Sequence, residues 1–311
     1  MYHVFVNPAS RSGSGAATWL AAKEIFDKKD IPYRIHFTKK GESIKKEYEK
    51  ILRDFPERPV RIIALGGDGT LNQCINGITD LENTELSLIK NGSGNDFAHN
   101  KKLPQNMEDI VDGIIDHRHT MQIDVGLLTY AEGCLPDGRR VKDGKHRFLV
   151  SSGYGYDAST CYNANNSKLK KILGKLTYIY YGAKNIFTTK LSNITITVDN
   201  NSPRKLSKVF FLAAMNQPVE GGGIPMVPNA SDTDGKLSYC VFHSLKRLQA
   251  MTYIPRLYAK KHIGLRGVET FEGTKVQVES DIPQFIHYDG ETPGMYKKAI
   301  TEIIGKIKFV Y

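Results

Sequence analysis

Three absences set the first limits on this chain of 311 residues. Its four cysteines lie far apart and form no CxxC pair, which argues against disulfides and structural zinc and favours a reducing cytoplasm. Its longest clean apolar run, residues 209–215, is far too short to cross a bilayer. No basic and then apolar leader precedes the first strand-like residues, 4–6, so the sequence shows no signal peptide. We therefore expect a cytoplasmic protein.

Positive charge, in contrast, is plentiful and confined to two segments. The chain has 43 Lys and Arg against 33 Asp and Glu, a formal net charge of +10. Residues 167–190 and 243–266 each hold six Lys or Arg and no acid, interleaved with Leu, Ile and Tyr. Such segments suit peripheral binding to an anionic membrane surface. The alternative interpretation is two amphipathic helices packed on the core with solvated lysines outside. No recognised nucleic-acid motif accompanies the charge, so no nucleic-acid partner is expected.

The first 126 residues alternate between strand and helix patterns. Short apolar strands are predicted at 4–6, 33–37, 61–65 and 86–89, with helix-like stretches between them. This alternation predicts an open parallel sheet with helices on both faces. Ligands of such a sheet bind at the carboxyl ends of the strands, where this sequence has its glycine turns. We assign residues 1–126 to a nucleotide-binding α/β domain.

Residues 127–295 follow a different pattern. The predicted strands are separated by turns and lie at 147–152, 194–198, 209–215, 236–242, 276–279 and 284–287. The two basic segments interrupt them as helical or irregular insertions. We therefore predict a β-rich, sandwich-like second domain, with the active site in the cleft between the domains. The C-terminal segment, residues 296–311, could add a last strand that completes the first domain.

The most informative segment is the turn at residues 64–72. The apolar run 61–65 breaks into Gly66-Gly67-Asp68-Gly69-Thr70, and a helix pattern starts near Leu71. Glycines at such a strand-to-helix turn let backbone N–H groups approach a phosphate, and the helix N-terminus adds partial positive charge. An aspartate there would repel a bare phosphate, so it would manage a metal, a hydroxyl or the hydrogen bonds of the loop. This pattern is typical of the phosphate-handling turn of a kinase.

Further glycine and polar clusters follow along the chain. They lie at residues 91–98, 152–157, 216–223, 228–237 and 289–291. Taken in order with the turn at 66–70, they resemble the bacterial diacylglycerol kinase-like lipid kinases, which share a catalytic domain with eukaryotic diacylglycerol, sphingosine and ceramide kinases. The resemblance runs from Asn7 to Glu291. It implies a kinase that uses ATP and Mg²⁺ to phosphorylate a lipid hydroxyl, with diacylglycerol as the first choice and phosphatidic acid as the product.

The resemblance also implies roles for individual residues. Glu291 matches the proposed general base. A structural Mg²⁺ site is implied at the Asp234 carboxylate, with main-chain oxygens of Ser231 and Lys236. Asp68 matches a residue with a metal- and water-network role in bacterial members and a base-like role in sphingosine kinase relatives, and both roles stay open. The implied nucleotide-contacting set is Asn7, Pro8, Ala9, Ser10, Arg11, Thr38, Gly66, Gly67, Asp68, Gly69, Thr70, Leu71, Asn72 and Ser93.

The chain also departs from the family pattern. Lys90-Asn91 stands where the family usually has Pro before the Gly-Ser or Gly-Thr turn. Lys90 could contact a phosphate, or it could only change the turn. Arg11 and Ser12 stand where a first-loop glycine is common. Neither departure removes a proposed catalytic group.

Two other functions remain open at this point. NAD kinases share the Gly-Gly-Asp-Gly-Thr turn, although a soluble dinucleotide substrate requires neither the cluster at 91–98 nor the localised basic charge. A non-catalytic lipid-binding protein on the same scaffold is the other, although such a protein need not keep both Asp68 and Glu291. The sequence leaves open the preferred lipid and whether the chain forms a homodimer.

Overall fold

A computed structural model describes residues 1–39, 43–169, 174 and 176–311, except for the side chain of Ser12. The chain forms two compact units. The first contains Met1–Val125 and Gly305–Tyr311, and the second contains Gly126–Ile304. The sequence-based division was at residue 126, with 296–311 as a segment that could return to the first domain.

The first unit is a parallel sheet with helices. Its strands are β1 Tyr2–Val6, β2 Tyr33–Phe37, β3 Val60–Gly66 and β4 Thr84–Lys90, paired in the order β4-β3-β1-β2. Strands β1, β3 and β4 are buried along most of their length, as the apolar runs of a parallel sheet covered on both faces require. The helices are α1 Ser10–Gly13, α2 Gly15–Lys28, α3 Lys45–Asp54, α4 Asp68–Gly77, α5 Asp96–Asn100 and α6 Met107–Ile115.

The last strand, β14 Glu291–Val310, ends in the first unit beside β4. Lys308 pairs with Glu85 in parallel register, and its Nζ donates to Glu85 Oε1 at 2.7 Å. Arg61 and His117 also contact this buried carboxylate, at 3.2 Å and 3.1 Å. Burial alone would raise the pKa of Glu85, but Lys308 and His117 outweigh it and lower that pKa. The C-terminal segment is thus attached by the Lys308–Glu85 ion pair, and the buried Glu85 carboxylate has two further partners in Arg61 and His117.

The second unit is largely antiparallel. Its long strands β10 Arg204–Met215 and β13 Lys275–Tyr288 each pair with both β8 Ser151–Gly155 and β9 Ser192–Val198. Strand β14 pairs with β13, and β11 Leu237–His243 lies between β10 and β12 Val268–Gly273. Strand β5 Thr120–Cys134 crosses into this unit and pairs with β6 Arg140–Val141 and β7 Gly144–Phe148. The α/β and β-rich fold classes predicted for the two halves are therefore confirmed.

The described residues of the second unit contain three further helices, α7 Tyr156–Asn165, α8 Leu176–Thr188 and α9 Arg247–Tyr258. Helices α8 and α9 lie within the two basic segments, so the insertions are helical there. The side chains of Ile186 in α8 and of Ala250, Tyr253 and Leu257 in α9 join one apolar cluster with β10 and β11. Five residues of the first basic segment lie outside the described residues: Lys170, Lys171, Ile172, Leu173 and Lys175.

Candidate active site

The glycine turns of the first unit lie at the carboxyl ends of β1, β3 and β4, which are neighbours in the sheet. Register fixes this arrangement, because Val6 is opposite Leu65 and Gly66 is opposite Lys90. The backbone N–H of Asn91 donates to the Gly66 carbonyl at 2.6 Å, and that of Asn7 donates to the Leu65 carbonyl at 3.1 Å. Three loops that are far apart in sequence therefore meet at one edge of the sheet.

Asp68 links two of these loops. It begins helix α4, and its two carboxylate oxygens accept the backbone N–H groups of Asp96 and Phe97, each at 3.1 Å. Those groups belong to the first turn of α5, where N–H groups have no partner within the helix. Burial raises the pKa of Asp68, while the Phe97 and Asp96 N–H groups oppose that rise by stabilising the ionised form. Asp68 thus serves the hydrogen bonding of the loops, one of the roles expected for it.

The two glycine turns approach so closely that side chains would not fit between them. A Cβ on Gly92 would lie 2.5 Å from the Cα of Gly67, and a Cβ on Gly67 would lie 2.8 Å from the Cα of Gly92. Asn95, in the left-handed conformation at φ +57°, closes the second turn by exchanging hydrogen bonds with the backbone N–H and carbonyl of Gly92 at 2.8 Å and 2.9 Å. Backbone approach, rather than backbone strain, is what requires glycine at these two positions.

The first loop is attached through amide side chains. Asn7 Nδ2 donates to Thr70 Oγ1 at 3.1 Å, which links the end of β1 to the first turn of α4. Buried Asn91 donates from Nδ2 to Ser10 Oγ at 2.9 Å and accepts from Ser14 Oγ at 3.2 Å. Asn91 and Ser14 were not among the residues predicted for the site. A polar residue at the end of a buried strand was the available signal for Asn91.

The other residues predicted to contact nucleotide lie around the same edge. Thr38 follows β2 and donates from its backbone N–H to the Val6 carbonyl at 2.9 Å, next to the start of the first loop. Ser93 and Arg11 are exposed, whereas Thr70 and Asn72 are buried. Lys90 Nζ donates to the Leu103 carbonyl at 2.9 Å. Lys90 thus contacts protein backbone, and its contact with a phosphate stays a prediction.

In the second unit, the predicted metal residues form a tight turn before β11. The Lys236 N–H donates to Asp234 Oδ1 at 3.0 Å, and Gly235 takes a φ of +77°. Ser231 Oγ and Thr233 Oγ1 are 2.9 Å apart. Carboxylate, hydroxyl and main-chain oxygens are the donors that a hard cation such as Mg²⁺ prefers, so the residues fit the implied site chemically.

Glu291 begins β14 directly after a hairpin turn and is exposed. Asp289 takes φ +45° and Gly290 takes φ +81° at this turn, and Tyr288 pairs with Glu291 across it. Asp289 accepts the backbone N–H groups of Leu149, Val150 and Ser151 at 3.0, 2.9 and 3.1 Å. The predicted base therefore follows a turn that the Asp289 carboxylate holds to the connection between β7 and β8.

A second polar cluster lies close to this turn and was missed at the sequence level. Ligand-type atoms of Asp157, Glu220 and His287 lie within 4.8 Å of one another, and His287 Nε2 is 3.2 Å from Asp157 Oδ2. Burial would lower the pKa of His287, but Asp157, Glu220 and Asp289 outweigh it and raise that pKa. The three side chains could hold a divalent cation, or His287 could be protonated and form ion pairs with the Asp157 and Glu220 carboxylates.

Comparison with known proteins identifies the family. Residues 1–128 match the diacylglycerol kinase catalytic domain, and residues 149–307 match the YegS C-terminal NAD kinase beta sandwich-like domain. The chain belongs to the diacylglycerol kinase-like lipid kinase family, as its sequence motifs predicted.

Individual relatives are distant. A diacylglycerol kinase of Staphylococcus haemolyticus is 27% identical over 75% of this chain, and the match spans 65% of that protein's own length. YtlR of Bacillus subtilis, whose name marks it as a candidate lipid kinase, is 22% identical over 94% of both chains. The crystal structure of a diacylglycerol kinase from Bacillus anthracis covers 100% of this chain and 96% of its own, with a TM-score of 0.65 and 18% identity. The structural likeness establishes the shared fold.

Each helix of the described residues is too short or too polar to span a membrane.

Proposed function

We propose that this chain is a lipid kinase that transfers the γ-phosphoryl group of ATP to a lipid hydroxyl, and that diacylglycerol is its acceptor. The observation that carries the proposal is the meeting of the Gly66–Gly67 turn, the Gly92 turn and the Asn7 loop at one sheet edge, tied by Asp68, Asn7 and Asn91. A strand-to-helix turn with glycine backbone and a helix N-terminus is suited to a polyphosphate. The bacterial relatives named as diacylglycerol kinases support the choice of acceptor.

Phosphoryl transfer depends mainly on alignment and charge neutralisation. In the proposed reaction the lipid hydroxyl gives its proton to the Glu291 carboxylate, and its oxygen forms a bond to the γ-phosphorus of ATP. The bond from that phosphorus to the β–γ bridging oxygen breaks, and ADP leaves. Glu291 is exposed, as an acceptor of a substrate proton must be before the lipid binds. Asp68 positions the two glycine turns.

We also propose that Mg²⁺ binds at the Asp234 turn. The oxygen donors at Ser231, Asp234 and Lys236 would hold it, and it would supply positive charge that stabilises this turn and its surroundings. The residues of the chain perform the rest: the glycine turns bind phosphate oxygens, the amide side chains keep the loops together, and Glu291 holds the transferred proton.

A panel assay tests the proposal. The protein is incubated with Mg²⁺ and γ-labelled ATP against diacylglycerol, other lipid alcohols in mixed vesicles, and NAD. We expect label in phosphatidic acid and a loss of at least a hundredfold for Glu291→Gln, because a general base typically contributes 10²–10⁴ in rate. Label in NADP alone would identify an NAD kinase. Lipid binding with no label in any product would favour the non-catalytic alternative, and an equal nonzero rate for Glu291→Gln would remove Glu291 as the base.

A further inference from the structure

Helix α8 exposes four of its large apolar side chains to water. Leu176, Ile179, Tyr180 and Phe187 follow the i, i+3, i+4 and i+11 spacing of a single helix stripe, and all four are exposed. Ile179 is 65% exposed and Leu176 is 59% exposed. The alternative of amphipathic helices packed on the core applies to Ile186 of α8, which joins the buried cluster, but it does not apply to these four side chains.

The opposite face of α8 is largely polar, and it is this face that is buried. Thr177 and Asn185 are almost completely inaccessible, next to the apolar Ile186. Asn185 donates from Nδ2 to Ser159 Oγ at 3.2 Å and accepts from Asn163 Nδ2 at 3.1 Å, both on helix α7. Because these hydrogen bonds fix the rotation of α8, the helix cannot turn its apolar stripe inward without leaving buried amide groups unpaired.

Helix α9 is joined to the end of α8 and also carries exposed apolar side chains. Arg247 at its start donates to the Ile186 and Thr189 carbonyls at the end of α8, at 2.6 Å and 2.8 Å, so the two helix ends are joined. Leu248, one residue further, is 72% exposed, and Met251 and Tyr258 are exposed as well. Twelve large hydrophobic side chains are exposed in the described part of the chain, and nine of them lie in residues 167–190 and 243–266.

The charges on this surface have one sign. Residues 167–190 and 243–266 contain no Asp or Glu. Their described cations are exposed except for Arg247, which is engaged at the helix end: Lys168, Lys184, Lys190, Lys246, Arg256, Lys260, Lys261 and Arg266. Exposed apolar side chains in segments whose charged residues are all basic fit a phase that is apolar inside and anionic at its surface.

We infer that α8 and α9 form a docking surface for an anionic lipid bilayer, with Leu176, Ile179, Tyr180 and Leu248 entering the acyl boundary and the lysines contacting lipid phosphates. This deepens the proposed function by naming the surface from which the lipid would be taken. Binding of the bilayer needs no ATP and no turnover, so it can fail or succeed independently of the kinase activity.

Vesicle co-sedimentation without ATP tests the surface. The vesicles are phosphatidylcholine with or without phosphatidylglycerol, at low and high salt. We expect wild type to bind the anionic vesicles. Leu176→Gln/Ile179→Gln should reduce the partition coefficient at least tenfold at both salt concentrations, because the apolar contribution is not screened. Lys184→Gln/Lys246→Gln should reduce it about fivefold for each lysine at low salt and much less at high salt.

Matched variants in the first unit provide the controls. Leu20 and Phe37 are exposed apolar residues, and Lys46 and Lys50 are exposed lysines. Leu20→Gln/Phe37→Gln and Lys46→Gln/Lys50→Gln should bind vesicles as wild type does. Equal losses in the control pairs, or no binding of anionic vesicles by wild type, would overturn the inference.

A fluorescence measurement places the surface in the membrane directly. The single tryptophan, Trp19, is buried in the first unit, so its emission should not respond to lipid. In Ile179→Trp, the emission of the new tryptophan should shift to the blue on anionic vesicles and be quenched by lipids brominated in the acyl chain.

Sedimentation in the absence of lipid tests whether a second copy of the chain occupies this surface instead. If Leu176→Gln/Ile179→Gln converts a dimer to a monomer and leaves vesicle binding intact, the surface is a self-association interface instead.

Discussion

The Asp68 carboxylate accepts the backbone N–H of Phe97 at 3.1 Å, across 29 residues of sequence. With the Asp96 N–H on the other oxygen, this bond makes the aspartate of the main glycine turn the N-terminal cap of the helix that follows the second turn. A single carboxylate therefore holds the relative position of the two turns proposed to bind phosphate.

Replacing Asp68 should cost both stability and activity. Asp68→Asn keeps one acceptor oxygen and places an NH₂ group against the second N–H, so we expect a loss of about 1–2 kcal/mol in the free energy of unfolding. Phosphoryl transfer should fall as well, because the turns would no longer be held together. Urea denaturation and the labelled-ATP assay measure the two effects. Asp109→Asn is the control, since Asp109 is an exposed residue in the first turn of α6. Wild-type stability for Asp68→Asn would show that the cap is unimportant.

The contact between the glycine turns predicts a cost for adding one methyl group. In Gly92→Ala, the new Cβ would lie 2.5 Å from both the Gly67 Cα and Asn95 Oδ1, so the turns must separate. We expect about 1–3 kcal/mol of destabilisation and a raised KM for ATP. Gly182→Ala is a matched control, because its Cβ would meet only Tyr156 Oη, at 3.4 Å, and a helix favours Ala over Gly by about 0.5–1 kcal/mol. An unchanged KM in Gly92→Ala would separate these turns from nucleotide binding.

The hairpin before Glu291 should depend on Asp289. Asp289→Ala leaves the N–H groups of Leu149, Val150 and Ser151 without their acceptor, and we expect about 3 kcal/mol of destabilisation. Asp289→Asn retains one acceptor oxygen and should lose less stability than Asp289→Ala. If Asp289 positions the base, kcat should fall in Asp289→Asn while KM for ATP stays unchanged. An unchanged kcat with an altered KM for ATP would contradict this positioning role.

Acid should destabilise the first unit through His3. Burial, and then the neighbouring His36, lower the pKa of His3 from 6.5 to about 4. The neutral form of the His3 imidazole is therefore favoured more strongly in the folded state than in the unfolded chain. The corresponding stability is complete above about pH 6.5 and is lost progressively as the pH falls towards 4. At about 1.4 kcal/mol per pH unit, the loss approaches 3 kcal/mol.

Denaturation at pH 7 and at pH 4.5 measures this effect. His3→Phe removes the titrating group and keeps a ring beside Phe55, so its stability should depend less on pH than that of wild type. His99→Gln alters an exposed histidine and should leave the wild-type pH dependence in place. Equal pH dependence in wild type and His3→Phe would contradict the role of His3.

Much of the fold followed from local patterns. The apolar run predicted at 61–65 is the centre of β3 Val60–Gly66, and the helix expected near Leu71 is α4 Asp68–Gly77. Some strand boundaries were wrong. The strand predicted at 147–152 is divided between β7 Gly144–Phe148 and β8 Ser151–Gly155, and those predicted at 276–279 and 284–287 are parts of the single strand β13. Periodicity does not report where a long strand bends or changes partners.

The chain's own sequence determined the order of its strands and helices, the glycine turns and the confinement of positive charge to two segments, because each depends on residues close together along the chain. Only the tertiary structure decided that Asp68 caps the helix of another loop, that Asp289 holds the turn before Glu291, and that α8 exposes its apolar stripe. These depend on which strands are neighbours and on how hydrogen bonds to other elements fix the rotation of a helix. Such long-range pairings leave no periodic trace in the sequence.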